Sequence, residues 1–391
     1  MQKTNRNLLS IIKFVLTDTP VTLDDELNYK ELFLLSRKHQ ITPLIFDGLY
    51  KLKGEFKGME HFKNVTFSLL FKDQNQVACL KQLEMIFSEN GIDYMPLKGV
   101  SIKNLYPVPE FRLMGDLDIL IKESQHDKIK ELLIPLGYVQ ELESDHELIW
   151  KSKSGVIIEL HKRLIPSYND DYYSYYSKPW EKAVIQDNCK YSMTDEDEYI
   201  YIFTHLTKHY RDGGIGLRHM IDIWFFRMKH PSLDLNYISD ELEKLELKEF
   251  HQNLLDTLDV WFNDKEETEL SDYITERIIT SGSFGLKEMH EASAAARASA
   301  KETSVTSAKK NAILKLIFLP FGVMKDKYPV LEKAPFLLPL MWVVRWIDAI
   351  FNKRKSIVKG ANQINNLNAE TVDSYNEELR KVGLKFSLKK E

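Results

Sequence analysis

The hydrophobic period of this chain changes twice, and that restricts its fold more than any other feature. In residues 1–90 apolar side chains recur at helical spacing; Val77, Leu80, Leu83 and Phe87 form one stripe, which Gly91 ends. Between about 92 and 161 the period shortens to two. Tyr94-Met95-Pro96-Leu97 is a short apolar run, and Asp116-Leu117-Asp118-Ile119-Leu120-Ile121 alternates strictly. Ser124 then caps a helix with the stripe Ile129, Leu132, Leu133 and Leu136, stopped by Gly137. A second alternating segment runs from Gly155 to His161, and from Thr194 to about Phe262 the helical period returns. Strand, helix, strand, helix, strand within this stretch predicts an α+β protein with one small mixed sheet embedded in a mostly helical chain.

The expected organisation is an N-terminal helical region (1–90), an α/β core (91–190), a helical domain closing a cleft (191–290), an Ala/Ser-rich linker (291–310) read as mobile with an exposed helix as its rival, and a C-terminal helical region (311–391). The 391 residues are 43% hydrophobic and 28% charged, which supplies a sizeable core and excludes a disordered chain. The net charge of −5 weighs against nucleic acid as a partner. Cys79 and Cys189 stand in no metal-binding spacing, which argues against a zinc site and fits a reducing compartment. Leu8 to Ile12 is too short for a signal peptide, and the uncharged run from Ala334 to Val344 is too short to span a bilayer, so the expected location is cytoplasmic.

The chemistry concentrates in the alternating segments. Asp116 and Asp118, at i and i+2 of a strand, point to one face and repel each other unless a cation lies between them. An oxygen-only site of that kind suits Mg²⁺. The rival reading is an exposed strand with two solvated aspartates. Glu159, with His161 two residues later, adds a third acid if the strands are neighbours. Asp118→Asn, which removes one charge from such a cluster, is expected to leave the fold intact and slightly stabilise the ion-free protein. Leu97-Lys98-Gly99 ends a strand and opens an expected helix from Val100 to Leu105, whose first-turn N–H groups would face a phosphate. Lys98, Lys103 and Arg112 are the nearby cations in sequence.

The set Leu97-Lys98-Gly99, Tyr106-Pro107, Arg112-Leu113-Met114-Gly115-Asp116-Leu117-Asp118-Ile119-Leu120-Ile121 and Glu159-Leu160-His161 resembles the DNA polymerase β-type nucleotidyltransferase superfamily. It looks most like an uncharacterised bacterial branch with a lysine–glycine pair. The resemblance runs from His39-Gln40-Ile41-Thr42-Pro43-Leu44 to the helices with His205, His209 and Asp222, roughly half the chain. It implies transfer of a nucleoside monophosphate from an NTP, ATP included, to a hydroxyl of a small molecule or protein, with Mg²⁺ or Mn²⁺ and release of pyrophosphate. It implies Asp116, Asp118 and Glu159 as metal ligands and catalytic residues. Lys98, Gly99, Ser101, Arg112 and His161 would then bind nucleotide. The family's Gly-Gly or Gly-Ser is here Gly99-Val100-Ser101, and the gap to Asp116 is slightly long. Two other readings compete: a catalytically inactive nucleotide-binding scaffold, and a membrane-surface accessory protein in glycan or polymer assembly, anchored weakly through 311–359.

Other features have plainer rivals. Arg112 contacts the triphosphate or pairs with Glu110; His161 meets phosphate or a backbone group. His205 and His209 share a helical face, where they line the nucleotide or acceptor cleft or simply pack. Arg218 and Asp222, at i and i+4, read as a helix salt bridge. The run Tyr172-Tyr173-Ser174-Tyr175-Tyr176 with Trp180 favours packing over base stacking, and Lys353-Arg354-Lys355 a solvated helix end over lipid contact.

Overall fold

The computed structural model describes residues 2–300 apart from 25 and 168, then 330–352 and 369–386, with isolated positions between 314 and 328. It divides into two compact units: Met1–Tyr210 with Gly214–Gly285, and Arg211–Gly213 with Leu286–Glu391.

The first unit opens with four helices, α1 (Lys3–Thr17), α2 (Tyr29–Lys38), α3 (Thr42–Lys53) and the long α4 (Met59–Glu89). Asn28 caps α2 by accepting the Glu31 N–H. Gly48 lets α3 approach α1 closely, because a Cβ there would lie 2.5 Å from Ile11 and 2.6 Å from Val15 side-chain atoms. The α/β region follows as β1 (Tyr94–Pro96), α5 (Gly99–Ile102), β2 (Leu117–Ile121), α6 (His126–Leu133), β3 (Val139–Glu143), β4 (Glu147–Lys151), β5 (Ile157–His161), α7 (Asp170–Tyr173), β6 (Val184–Asp187) and β7 (Lys190–Ser192). Gly91 (φ 62°) and Gly137 (φ 85°) turn the chain after α4 and α6 in the left-handed region, as their positions in the pattern require. Helices α8 (Asp195–Asp212), α9 (Leu217–Lys229), α10 (Leu235–Lys244), α11 (Lys248–Phe262) and α12 (Glu269–Ser281) complete the helical part.

The strands form one mixed seven-stranded sheet in the order β3-β4-β5-β2-β1-β7-β6. β2 runs parallel to β5 and antiparallel to β1, and β4 is antiparallel to both β3 and β5. On one face Leu117, Ile119, Ile121, Ile158, Leu160, Leu148 and Trp150 pack with Leu83 and Phe87 of α4 and Ile129 and Leu133 of α6. Each fully buried aliphatic side chain there is worth about 1.5–3 kcal/mol. The alternation that packs these residues sends Asp118, Glu159 and His161 to the opposite face.

Three expectations change. The hairpin β3–β4 and the pair β6–β7 were not read from sequence; they extend the sheet on both sides. The helix expected over Val100–Leu105 is one α-turn followed by a 3₁₀ turn, Lys103–Leu105. The 291–310 linker is helical as far as it is described: α13 (Lys287–Ala300) buries Ser293, Ala295 and Ala296 within the second unit and packs on the helix Ala369–Lys381. Its small side chains allow close helix contact, which the composition had suggested as mobility. Residues 301–310 and the Lys353-Arg354-Lys355 run lie outside the described residues, as does part of 311–359. Among the described residues no helix is long and apolar enough to cross a membrane.

Candidate active site

Asp118 stands opposite Glu159 and Leu120 opposite His161 in the parallel β2–β5 register; Glu147 stands opposite His161 across β5–β4. Paired residues share a sheet face, so the register alone gathers three acids, Asp118, Glu159 and Glu147, and a histidine. They line a cleft of about 510 Å³, within the usual range for small-ligand sites. Asp116 lines the same cleft from the bend before β2, α8 contributes His205, Lys208 and His209, and α9 contributes Arg218, His219 and Asp222.

Asp118 is the hub. Its Oδ1 accepts from Lys98 Nζ at 2.6 Å and from His161 Nε2 at 2.7 Å. Burial alone would raise its pKa, but the Lys98 charge and the His161 bond outweigh that and hold the carboxyl well below its ordinary value. Lys98 gains in return: burial opposes its charge, and Asp118 more than restores it. Removing the Asp118 charge therefore strands a buried ammonium. The stabilisation expected from relieving acidic repulsion belongs instead to Glu159, whose carboxyl is pushed up to about 8 by burial and by the charges of Asp118 and Asp116. Burial and Asp118 also raise the pKa of Asp116.

The backbone at Lys98 explains how the ammonium reaches Asp118. Lys98 sits at φ 51° and ψ −118°, a conformation that costs a residue bearing Cβ about 1–3 kcal/mol. The tight turn is closed by Val100 N–H donating to Leu97 O at 3.1 Å, and Leu97 N–H donates to Asp118 O at 3.0 Å.

Of the other nucleotide-binding expectations, several are redirected. Arg112 gives Nε and Nη2 to the two oxygens of Asp222, at 2.7 and 2.8 Å, and Nη1 to Leu113 O. Its fork is filled by neither a phosphate nor Glu110, because Asp222 lies across from it at full burial. Arg218 consequently does not take Asp222 as a helix salt bridge; its Nη1 bonds Gln40 Oε1 and Leu113 O. Burial and the nearby Arg112 charge lower its pKa to about 10. Gly99 stays on the cleft wall, where a Cβ would lie 3.2 Å from Arg112 Nη1 and the guanidinium would have to give by a few tenths of an ångström. Ser101 donates to Lys98 O and lines a neighbouring cavity, not the acidic cleft. Lys103 is turned onto Asp73, at 2.8 and 2.9 Å. The one-turn helix cannot supply the extended N-terminal field that was expected.

His205 and His209 do reach the cleft, where their Nε2 atoms lie 3.1 Å apart. Burial first, then nearby cations, lowers both pKa values, which keeps the pair neutral. The tyrosine run packs: Tyr172 and Tyr176 are buried, and Tyr176 OH meets Thr204 Oγ1. His146 and Glu147 escaped the sequence reading. The signal was available: a polar Ser144-Asp145-His146 turn separates Val139–Glu143 from Leu148-Ile149-Trp150, a hairpin pattern.

Two groups among the described residues bring three ligand atoms within 4.8 Å of one another: Asp118, Glu159 and His161, and His146, Glu147 and His161. Asp116 belongs to neither, although it lines the same cleft.

Residues 25–263 match a family model described as an uncharacterised nucleotidyltransferase. The chain belongs to that family. Its membership supports nucleotidyl transfer as the general activity and an NTP as substrate. No curated protein matches the sequence. Among solved structures, the solution structure of the antibiotic-resistance factor ANT(2'')-Ia is similar at 12% identity and a TM-score of 0.31, covering 48% of this chain and 97% of that one. A likeness of that size carries no argument about the site.

Proposed function

We propose that this nucleotidyltransferase moves a nucleoside monophosphate from an NTP to a hydroxyl of a small molecule or protein, with Mg²⁺ or Mn²⁺. The observation that carries the reading is the register pair Asp118–Glu159 on the wall of a 510 Å³ cleft. The donor chemistry fits such an ion: Asp118 Oδ1 is taken by Lys98 and His161, its second oxygen remains for a cation, and the raised Glu159 pKa marks a charge that a cation would relieve. Asp118 and Glu159 would hold the ion, with Asp116 on the same cleft wall as the third carboxylate, and the ion when bound would offset triphosphate charge and acidify the attacking hydroxyl.

In this reading the acceptor oxygen attacks the α-phosphorus, the bond to the bridging oxygen breaks, and pyrophosphate leaves with its electron pair. Glu159 takes the acceptor proton. Lys98 and His161 keep Asp118 ionised and oriented, while Arg112 and Asp222 fix the wall beneath Gly99. The test is incubation with each labelled NTP and Mg²⁺, alone and with cell extract. Label on an acceptor, pyrophosphate release, and loss of both in Asp118→Asn are expected. Equal labelling by wild type and Asp118→Asn would overturn the assignment.

A further inference from the structure

We infer that His146, Glu147 and His161 form a second cation site, adjoining the carboxylate cluster through His161 and suited to Zn²⁺ or a similar transition-metal ion. Glu147 Oε2 lies 3.6 Å from His146 Nε2 and 3.5 Å from His161 Nδ1. A tetrahedral ion with bonds of about 2.1 Å sets its ligand atoms about 3.4 Å apart, so two edges of the coordination polyhedron are already in place. All three ligand atoms fall within 4.8 Å of one another.

The hydrogen-bond accounting at His161 points the same way. Its Nε2 lies 2.7 Å from Asp118 Oδ1, and a carboxylate can only accept, so that nitrogen carries the proton. Among the described residues the opposite nitrogen, Nδ1, is buried with no hydrogen-bond partner, and the ring is 2% exposed. In the neutral ring it is a lone pair facing a carboxylate oxygen 3.5 Å away, two acceptors with nothing between them. A cation satisfies both. The order Asp118, His161, ion is also the arrangement in which metal-ligating histidines are held: the far ring N–H bonds to a carboxylate that fixes tautomer and orientation. Two imidazoles and one carboxylate select a borderline transition ion, whereas oxygens alone suit Mg²⁺. Three protein ligands leave a fourth position, and all three residues line the cleft.

This site does not depend on the nucleotidyl-transfer reading, and its test does not use activity. The full chain, stripped with chelator, is titrated calorimetrically with Zn²⁺ in excess Mg²⁺, and with Co²⁺ followed by visible absorption. One Zn²⁺ per chain is expected, with Co²⁺ giving the intense bands of low coordination. Glu147→Gln and His146→Ala each weaken Zn²⁺ binding at least about tenfold, while Glu159→Gln, which removes no ligand of this site and leaves His161 Nδ1 in place, changes it less than about twofold. Both 146 and 147 lie at a hairpin turn, and circular dichroism checks that each variant is folded; either folded variant suffices. No Zn²⁺ binding by wild type, or binding lost in Glu159→Gln and kept in Glu147→Gln or His146→Ala, overturns the site.

Discussion

Asp222→Ala is expected to be among the most destabilising single changes near the cleft. The carboxylate accepts three bonds, from Arg112 Nε at 2.7 Å, Arg112 Nη2 at 2.8 Å and Tyr106 OH at 2.7 Å. The Arg112 and Asp222 side chains are 6% and 4% exposed, so no solvent replaces the lost partner. Stranding one half of a buried ion pair costs about 3–5 kcal/mol, and the orphaned Tyr106 hydroxyl adds about 1 kcal/mol. Against a typical domain stability of about 5–15 kcal/mol, that is a large fraction. The cost comes from the uncompensated guanidinium and not from lost attraction as such, which gives the reasoning a second arm. The double variant Arg112→Met with Asp222→Leu removes both charges together and should recover most of the loss. Urea unfolding of wild type, Asp222→Ala and the double variant measures all three. An Asp222→Ala cost below about 1 kcal/mol, or a double variant no better than the single, would refute the account.

Other outcomes follow from the same structure. Asp118→Asn should destabilise the ion-free protein as well as stop transfer, whereas Glu159→Gln should stop transfer and stabilise it; thermal melts without metal decide the order. The Glu159 effect depends on pH, because its folded pKa of about 8 is above the ordinary glutamate value: the Glu159 contribution to stability is fully present below about pH 4.5 and is lost as pH rises through 8, and Glu159→Gln should flatten that limb. His39 works at the acid end. It is buried, accepts the Leu217 N–H at Nδ1 and bonds Ile279 O through Nε2, and burial depresses its pKa to about 4. The unfolded chain takes up that proton near pH 6.5, so about 3 kcal/mol is lost as pH falls from 6.5 to 4; His39→Gln should shrink that loss in acid-unfolding curves. Gly48→Ala should cost about 1–3 kcal/mol in denaturant by driving a methyl into Ile11 and Val15.

Local periodicity made the sheet face legible. The alternation through Asp116–Ile121 and Gly155–His161 is enough to assign Asp118, Glu159 and His161 to one side, because the period of a strand is a property of neighbouring residues. Pairings set by the fold were not legible. Nothing near Arg112 announces Asp222, 110 positions away, and the local rival Glu110 was the only acid a sequence reading could weigh. Lys98 was read as a free cation at a helix start; its contact with Asp118 depends on a left-handed turn that L-residues rarely adopt and that no sequence period encodes. The linker reading changes over 291–300, the part that is described, for a related reason. Ala and Ser are poor in hydrophobic signal yet pack well where helices meet closely, as Ala295 and Ala296 do.

The strand order has a consequence for motion. β5 and β2 are the third and fourth of seven, while the outermost strands β3 and β6 expose nearly every residue. Opening of a sheet begins at its margins, so the amides of 117–121 and 157–161 belong with the slowest-exchanging set and those of 139–143 and 184–187 with the fastest. The hydrogen-bonded floor under Asp118 and Glu159 then keeps its spacing while the margins fray, and deuterium uptake resolved by strand would display that gradient directly.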